Sequence, residues 1–440
     1  MIPRTAARAL AAAFIVSMIA LPAGADSKPI VTANGASCDI GPYPAATLLL
    51  PYFEVDYKAS STSAIDTVFT VINTTRHPQI VRMTIWTDLG FPAAWSSIFL
   101  TGYGTMSVSM YSLIARGTFP TSSENFPHGA MSADNKDNPN FYDVTWCGWT
   151  GGTVAQALLE RLQSMLTTGE RDSGCVVGTK HEHAAGYVTL DLVNSCSLDS
   201  PLDPGYWTNV ILYDNVLTGD YERINPNVTT GNYAGGNPLV HIRAVPDGGP
   251  AGSTATQILP FTFYDRYTPA NARHLDRRQP LPSVFAARWI SGGPTGFLTN
   301  YVLWREGIVG PTHDECAYAK NATVPLKSAM LVRFDEHENS VVMGCGDTCA
   351  ATVPVAAVVS SNSGLFPPAG TTPDVGGWLW IDLDNRSDNR AADGSGYLYS
   401  TPRPSQNWVI VQMYAEGRYA VDFDATSIVN GCTVSPPARP

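Results

Sequence analysis

Residues 377–385 read Gly-Trp-Leu-Trp-Ile-Asp-Leu-Asp-Asn, and residues 186–194 read Gly-Tyr-Val-Thr-Leu-Asp-Leu-Val-Asn. Aliphatic residues alternate with aromatic or polar ones in both. Side chains alternate across a strand, so Leu379, Ile381 and Leu383 share one face while Trp378, Trp380, Asp382 and Asp384 share the other. The earlier stretch places Val188, Leu190 and Leu192 opposite Tyr187, Thr189 and Asp191. A period of two with one apolar face predicts an antiparallel strand whose inner face packs on a core.

Working outward, Thr67–Asn73, Val81–Asp88 and Trp408–Tyr414 have the same β-branched and aromatic content, separated by Gly, Pro, Asn and Ser. One segment reads as helix. Thr153–Thr168 carries Val154, Ala157, Leu158, Leu162, Met165 and Leu166 on one stripe, and Gly169 ends it. Val353–Val359 is a weaker helical candidate, because it is short and contains Pro354.

The two nine-residue stretches lie 191 positions apart, and looser anchors follow the same order. Ile85-Trp86-Thr-Asp88 parallels Leu303-Trp304-Arg-Glu306. Leu50-Pro51-Tyr-Phe53 parallels Leu281-Pro282-Ser-Val-Phe285. Val210-Ile211 with Gly219-Asp220-Tyr221 parallels Val409-Ile410 with Gly417-Arg418-Tyr419. A period near 200 is too long for a solenoid or propeller repeat and implies a duplicated domain. The expected fold is mainly β: two tandem, duplicated β-sandwich domains, jelly-roll or Ig-like, with one helical insertion near 153–168. The expected boundaries are 26–245 for the first domain and 280–440 for the second. Between them, 246–279 is a Gly/Pro-rich linker with a connecting strand at Phe261–Tyr264.

Residues 1–25 read as a secretory signal peptide: Arg4 and Arg8, an apolar run from Ala9 to Leu21, and the small residues Ala23-Gly24-Ala25 at the cleavage site. Export to the periplasm, cell surface or exterior follows, with no later run apolar enough to span a membrane. All eight cysteines lie beyond that site, and an even count in an exported chain favours disulfides. Cys147 with Cys175 is the preferred local pair, across the helix. Only 15% of the residues are charged, and the formal net charge is −11. The balance becomes −13 once Arg4 and Arg8 are removed, which argues against a nucleic-acid partner.

The outward strand faces carry the functional expectation. Trp86 with Asp88, Trp304 with Glu306, and Trp378 and Trp380 with Asp382 each set aromatic surface beside a carboxylate. Such a surface suits a sugar: the ring covers its apolar face and the carboxylate accepts from its hydroxyls. The expected role is non-catalytic binding or structural, with an extracellular polysaccharide or other surface polymer as partner. A secreted polymer hydrolase is the enzymatic alternative, with Asp88 and Asp191 or Glu306 and Asp382 as carboxylate pairs. Self-association into a surface or matrix assembly is the third reading. No nucleophile elbow, P-loop or dinucleotide fingerprint is present. No cofactor is implied, and two metal candidates are weighed. His181 and His183 would face one way in an extended chain, as transition-metal ligands do. Asp384, Asp388 and Asp393 follow Asp382 in an oxygen-rich loop of a kind that suits Ca²⁺.

Overall fold

The computed structural model describes residues 40–120, 152–172, 174–194, 199, 203, 205–226, 233–245, 259, 262–264, 276–293, 296–306, 324–327, 331–342, 350–366, 376–384, 405–415 and 419–431. The protein is mainly β, with several antiparallel sheets.

Eighteen strands build the four large sheets. Nine fall in the first half of the chain: β1 (Thr47–Val55), β2 (Asp66–Asn73), β3 (Gln79–Thr87), β4 (Pro92–Leu100), β5 (Thr105–Ser109), β6 (Ala184–Val193), β7 (Leu217–Asn225), β8 (Tyr233–Pro238) and β9 (Val240–Ile242). Nine fall in the second: β10 (Val284–Ile290), β11 (Phe297–Arg305), β12 (Leu331–Asp335), β13 (Ser340–Val342), β14 (Ala356–Ser360), β15 (Gly376–Asp382), β16 (Asn407–Ala415), β17 (Tyr419–Asp424) and β18 (Thr426–Ser427). The first half forms a five-stranded sheet, β9-β1-β6-β3-β4, and a four-stranded sheet, β8-β7-β2-β5. The second forms β18-β10-β15-β12-β13 and β17-β16-β11-β14. Adding nine to each label of the first pair of sheets gives the second pair.

The match reaches individual side chains. On β2 the Thr67 hydroxyl donates to the Glu54 carbonyl and accepts from the Glu54 N–H, both at 3.2 Å. On β11 the Thr299 hydroxyl does the same to Ile290, at 2.8 and 2.9 Å. Gly186 on β6 faces Phe53 across the ladder, and Gly377 on β15 faces Trp289. Neither glycine has room for a Cβ, which would lie 2.1 Å from the Trp86 carbonyl oxygen in one case and 2.0 Å from that of Phe334 in the other. Close backbone approach of this kind is a common reason for glycine inside a strand.

The inward residues of all four large sheets, Val188, Leu190 and Leu192 with Phe69 and Val71, and Leu379 and Ile381 with Tyr301 and Leu303, belong to one continuous hydrophobic core. Among the described residues, strands of the two halves come together in two places. The edge strands β8 and β17 lie side by side, joined by the Asn237 side-chain amide donating to Asp424 Oδ1 at 2.8 Å. Strands β11 and β14 pack near β1, where the Ala356 N–H donates to the Asp88 carbonyl at 3.2 Å.

Two α-helices, a π-helical turn at Tyr206–Val210 and three two-stranded sheets accompany the large sheets among the described residues. Helix α1 (Met110–Arg116) is capped by the Ser109 hydroxyl, and Gly117 closes it at φ 65°, a left-handed conformation that glycine adopts without strain. Helix α2 (Gln156–Thr167) buries Leu159, Leu162, Met165 and Leu166. Leu162, Met165 and Leu166 of the expected stripe are buried, while Leu158 faces solvent and Leu159 takes its place; the helix begins at Gln156 rather than Thr153. No helix among the described residues is long and apolar enough to cross a membrane.

Several expectations need correction. The Val353–Val359 helix is absent, and strand segments Ala350–Val353 and Ala356–Ser360 flank Pro354. The expected connecting strand at 261–264 is not seen over its described residues, 262–264. Residues 262–264 are irregular, and Phe263 and Tyr264 are buried in the core. The looser anchors fall on the wrong partners. Trp86 lies on β3, whose counterpart by strand order is β12, whereas Trp304 lies on β11. Gly219-Asp220-Tyr221 lies on β7, the counterpart of β16, whereas Tyr419 begins β17. Phe53 and Phe285 lie on counterpart strands but out of register, since Phe53 faces Gly186 and Phe285 faces Ile381. Aromatic–acid pairs recur on several strands, so order and composition alone match them loosely.

Candidate functional site

The five-stranded sheets each have one face on the core and one outer face, and the expected ligand residues divide between the two outer faces. On the first, a cross-strand aromatic pair forms because Trp86 of β3 lies opposite Tyr187 of β6. The rings are 5.7 Å apart and nearly parallel. The Trp86 indole N–H donates to the Thr189 hydroxyl at 2.8 Å. Trp304 of β11 closes over this pair, edge-on to Tyr187 at 6.0 Å, and Phe263 stacks on Trp304 at 5.4 Å. Trp86, Tyr187 and Trp304 are therefore buried and present no surface to a ligand.

Further along that face lies Asp191, at 0% exposure. Its carboxylate accepts from the hydroxyls of Thr47 (2.6 Å), Tyr206 (2.7 Å) and Tyr264 (2.9 Å). Arg278 Nη2 lies 3.7 Å away, and Arg278 Nη1 lies 3.2 Å from Asp276. The guanidinium Nε–H donates to the Thr47 hydroxyl, and Arg82 is the cross-strand neighbour of Asp191. Burial alone would lower the Arg278 guanidinium, but Asp191 and Asp276 reverse this and hold it above its ordinary value. Burial and the Asp191 charge push the Tyr206 and Tyr264 phenols well up, so both remain hydroxyl donors. This is a sealed ionic and hydrogen-bonded junction.

Asp88 is also buried. It accepts from the Thr179 N–H at 2.9 Å and from the Thr179 hydroxyl, and lies 3.0 Å from His181 Nε2. That same nitrogen lies 3.0 Å from the Thr179 hydroxyl. A nucleophile–histidine–acid relay uses the two opposite ring nitrogens, so this trio is not arranged as one. His183 turns to a different acid: Nδ1 is 2.7 Å from Glu54, with Arg223 3.8 Å from the same carboxylate. The two imidazoles face inward while Glu182 faces out, but they serve separate carboxylates rather than one centre. Among the described residues, no group of three or more His, Cys, Asp or Glu is placed to hold a metal ion.

One hydrolase pair, Asp88 with Asp191, does not assemble. Asp191 lies opposite Arg82, so Asp88 is six residues farther along the ladder, on the order of 15–20 Å away. Two carboxylates acting on one glycosidic bond need about 5–10 Å. Glu306 is buried at the end of β11, and Asp382 ends β15 in a different sheet. Asp384 is half-buried and donates its N–H to Asp382 Oδ1 at 3.0 Å, while Asp388 and Asp393 lie outside the described residues. Cys175 is disulfide-bonded; Cys147 lies outside the described residues.

The second outer face is open at the corresponding place. Phe334 of β12 lies opposite Trp378 of β15, with ring centroids 4.2 Å apart and planes 4° from parallel. Trp378 is 37% exposed, against 7% for Trp380, which is buried with Val284 and Val332. The exposed Arg288 of β10 lies opposite Trp378 on its other side, and Val342 of β13, opposite Val332, is 56% exposed. Asp382 is half-buried at the far end. Sequence reasoning named Trp378, Trp380 and Asp382 but missed Phe334 and Arg288. The alternation in Leu331-Val-Arg-Phe-Asp335 marks a strand, and only pairing shows which strand it joins. No protein-family model, curated protein or solved structure matches this chain.

Proposed function

We propose that the chain is an exported, non-catalytic binding protein built from two copies of one β-sandwich module. On this reading the outer face of the second copy holds a polysaccharide. The shared strand order, the Thr67/Thr299 bridges and the Gly186/Gly377 contacts support the duplication. The leader-like residues 1–25 and the disulfide-bonded Cys175 support export.

One observation carries the ligand assignment. Both copies build a stacked aromatic pair at the same place, and only the pair in the second copy presents a ring to solvent. A tryptophan held flat by Phe334 offers a rigid apolar surface at little cost in side-chain entropy, which suits the C–H face of a sugar ring. The first copy shows the complementary polar chemistry, an aspartate of the matching position accepting from several hydroxyls.

The test is a glycan array and a polymer-hydrolysis screen on the chain from residue 26 onward, with Trp378→Ala alongside. We expect binding without turnover, lost in Trp378→Ala while the far-ultraviolet circular dichroism is unchanged. Turnover, or binding indifferent to Trp378, would overturn this reading.

A further inference from the structure

Counterpart positions in the two halves agree wherever the fold demands it, so positions where they differ point to what is particular to each face. Arg288 is such a position. In the first half the place opposite Tyr187 is taken by a bulge in β1, between Leu50 and Phe53, containing Pro51 and Tyr52. In the second half β10 runs without a bulge, and an exposed arginine stands opposite Trp378.

Its surroundings are unusual for a cation in an acidic chain, with 38 carboxylate residues against 27 Lys and Arg. Among the described residues no ion pair or side-chain hydrogen bond engages the Arg288 guanidinium. Arg333, on the neighbouring β12, points to the opposite face, with its guanidinium over the Trp289 ring at 4.6 Å and donating to the Ser361 carbonyl at 3.0 Å. Arg305 is buried and bonded to Asn407 and the Leu383 carbonyl. Among the described residues, Arg288 is thus the one Lys or Arg that these strands present on the outer face.

The order across the sheet is Phe334, Trp378, Arg288. Phe334 stacks on one side of the indole, and Arg288 of β10 is the cross-strand neighbour on the other. A sugar ring held on this tryptophan would bring its substituents within reach of an arginine side chain from the next strand. The chemistry that fits both is a sugar ring bearing a carboxylate: the ring meets the indole and the carboxylate meets the planar fork of donors bidentately.

We infer that the second outer face selects anionic, uronate-bearing glycans, with Trp378 as the stacking residue and Arg288 as the specificity residue. This rests on the polysaccharide reading above. The experiment measures affinity for polygalacturonate and for a neutral glucan of similar length, by titration calorimetry. It uses the parent chain, Trp378→Ala, Arg288→Gln, Arg288→Lys and the remote charge control Lys58→Gln.

The expected result is a preference for the uronate polymer of about tenfold or more, since each 1.4 kcal/mol is a factor of ten. Arg288→Gln should erase that preference and Arg288→Lys should keep part of it. About 0.5 M salt should weaken uronate binding, because an exposed ion pair is screened. Trp378→Ala should reduce binding of both polymers, and Lys58→Gln should change neither. Equal binding of both polymers that is still lost in Trp378→Ala would overturn the uronate inference and leave the polysaccharide reading standing. Binding of neither, or binding unaffected by Trp378→Ala, would overturn both. So would a dimer seen by light scattering that Trp378→Ala dissolves, since the face would then be an interface between copies.

Discussion

Tyr187 and Trp378 hold the same place on the same strand of two sheets with one strand order, and each is stacked on an aromatic from the neighbouring strand. The first is buried beneath Trp304, whereas the second reaches solvent. The difference lies in what crosses each face: Trp304 of β11 closes over Tyr187. Over the first face pass Tyr206, Tyr264 and Arg278, which supply hydroxyls and a guanidinium to Asp191. Sheets of one strand order thus carry this aromatic face in two settings: buried against another part of the chain, or open to solvent.

The sharpest way to break that contrast is to make matched substitutions on the two faces and compare their stability by urea unfolding. Trp86→Ala removes a fully buried indole and should cost about 3–5 kcal/mol. Trp378→Ala, at a position that keeps much of its surface wet, should cost well under half as much. Arg278→Leu strands Asp191 and Asp276 as buried carboxylates and should also cost about 3–5 kcal/mol. Arg288→Leu should stay within about 0.5 kcal/mol of the parent, as exposed positions do. Equal losses at matched positions would mean that the second face is as structural as the first.

The next pair sharpens the likeness instead. Gly186→Ala and Gly377→Ala each drive a Cβ against a carbonyl oxygen of the neighbouring strand, Trp86 in one half and Phe334 in the other. Overpacking of this kind costs about 1–3 kcal/mol. The two should fall within measurement error of each other, because the obstruction is the same. A neutral Gly377→Ala beside a costly Gly186→Ala would show that the ladders differ where the strand order says they agree.

These paired positions also show what could be read in the sequence. The stretches at 186–194 and 377–385 were legible because a strand with one core face writes its period of two directly into the residues. The looser anchors failed for a physical reason. An aromatic two residues before an acid occurs on β3 and at the end of β11, strands that are not counterparts, and an extra residue in the β1 bulge shifts the register. Which outer face is covered was not legible at all. The cover comes from Tyr206, Phe263, Tyr264, Arg278 and Trp304, 19 to 117 residues from Tyr187 in sequence, and nothing in the local pattern of a strand records what distant chain lies across it. Phe334 was overlooked for the same reason, since its partnership with Trp378 exists only through the pairing of β12 with β15.

The smallest effect concerns the second joint between the halves, where Asp424 of β17 accepts from the Asn237 amide and from the Trp408 indole N–H at 2.8 and 2.9 Å. Burial raises its carboxyl above the ordinary value of 3.8, against the pull of those two donors. A raised acid binds its proton more tightly folded than unfolded. Its contribution is therefore fully present below 3.8, falls as pH rises toward the folded value, and is absent above it. Asp424→Asn keeps a carbonyl acceptor for both donors and carries no charge. It should match or slightly exceed the parent in stability at pH 7, by less than about 1 kcal/mol, and the gain should vanish below 3.8. Asp66, raised by burial in the same sense, titrates in both proteins and cancels in the difference; His241, lowered by burial, acts near neutrality with the opposite sign. A variant less stable than the parent at pH 7 would show that the joint uses the Asp424 charge itself. The β8–β17 contact would then be an ionic lock like the one around Asp191, and the two joints would differ in place but not in kind.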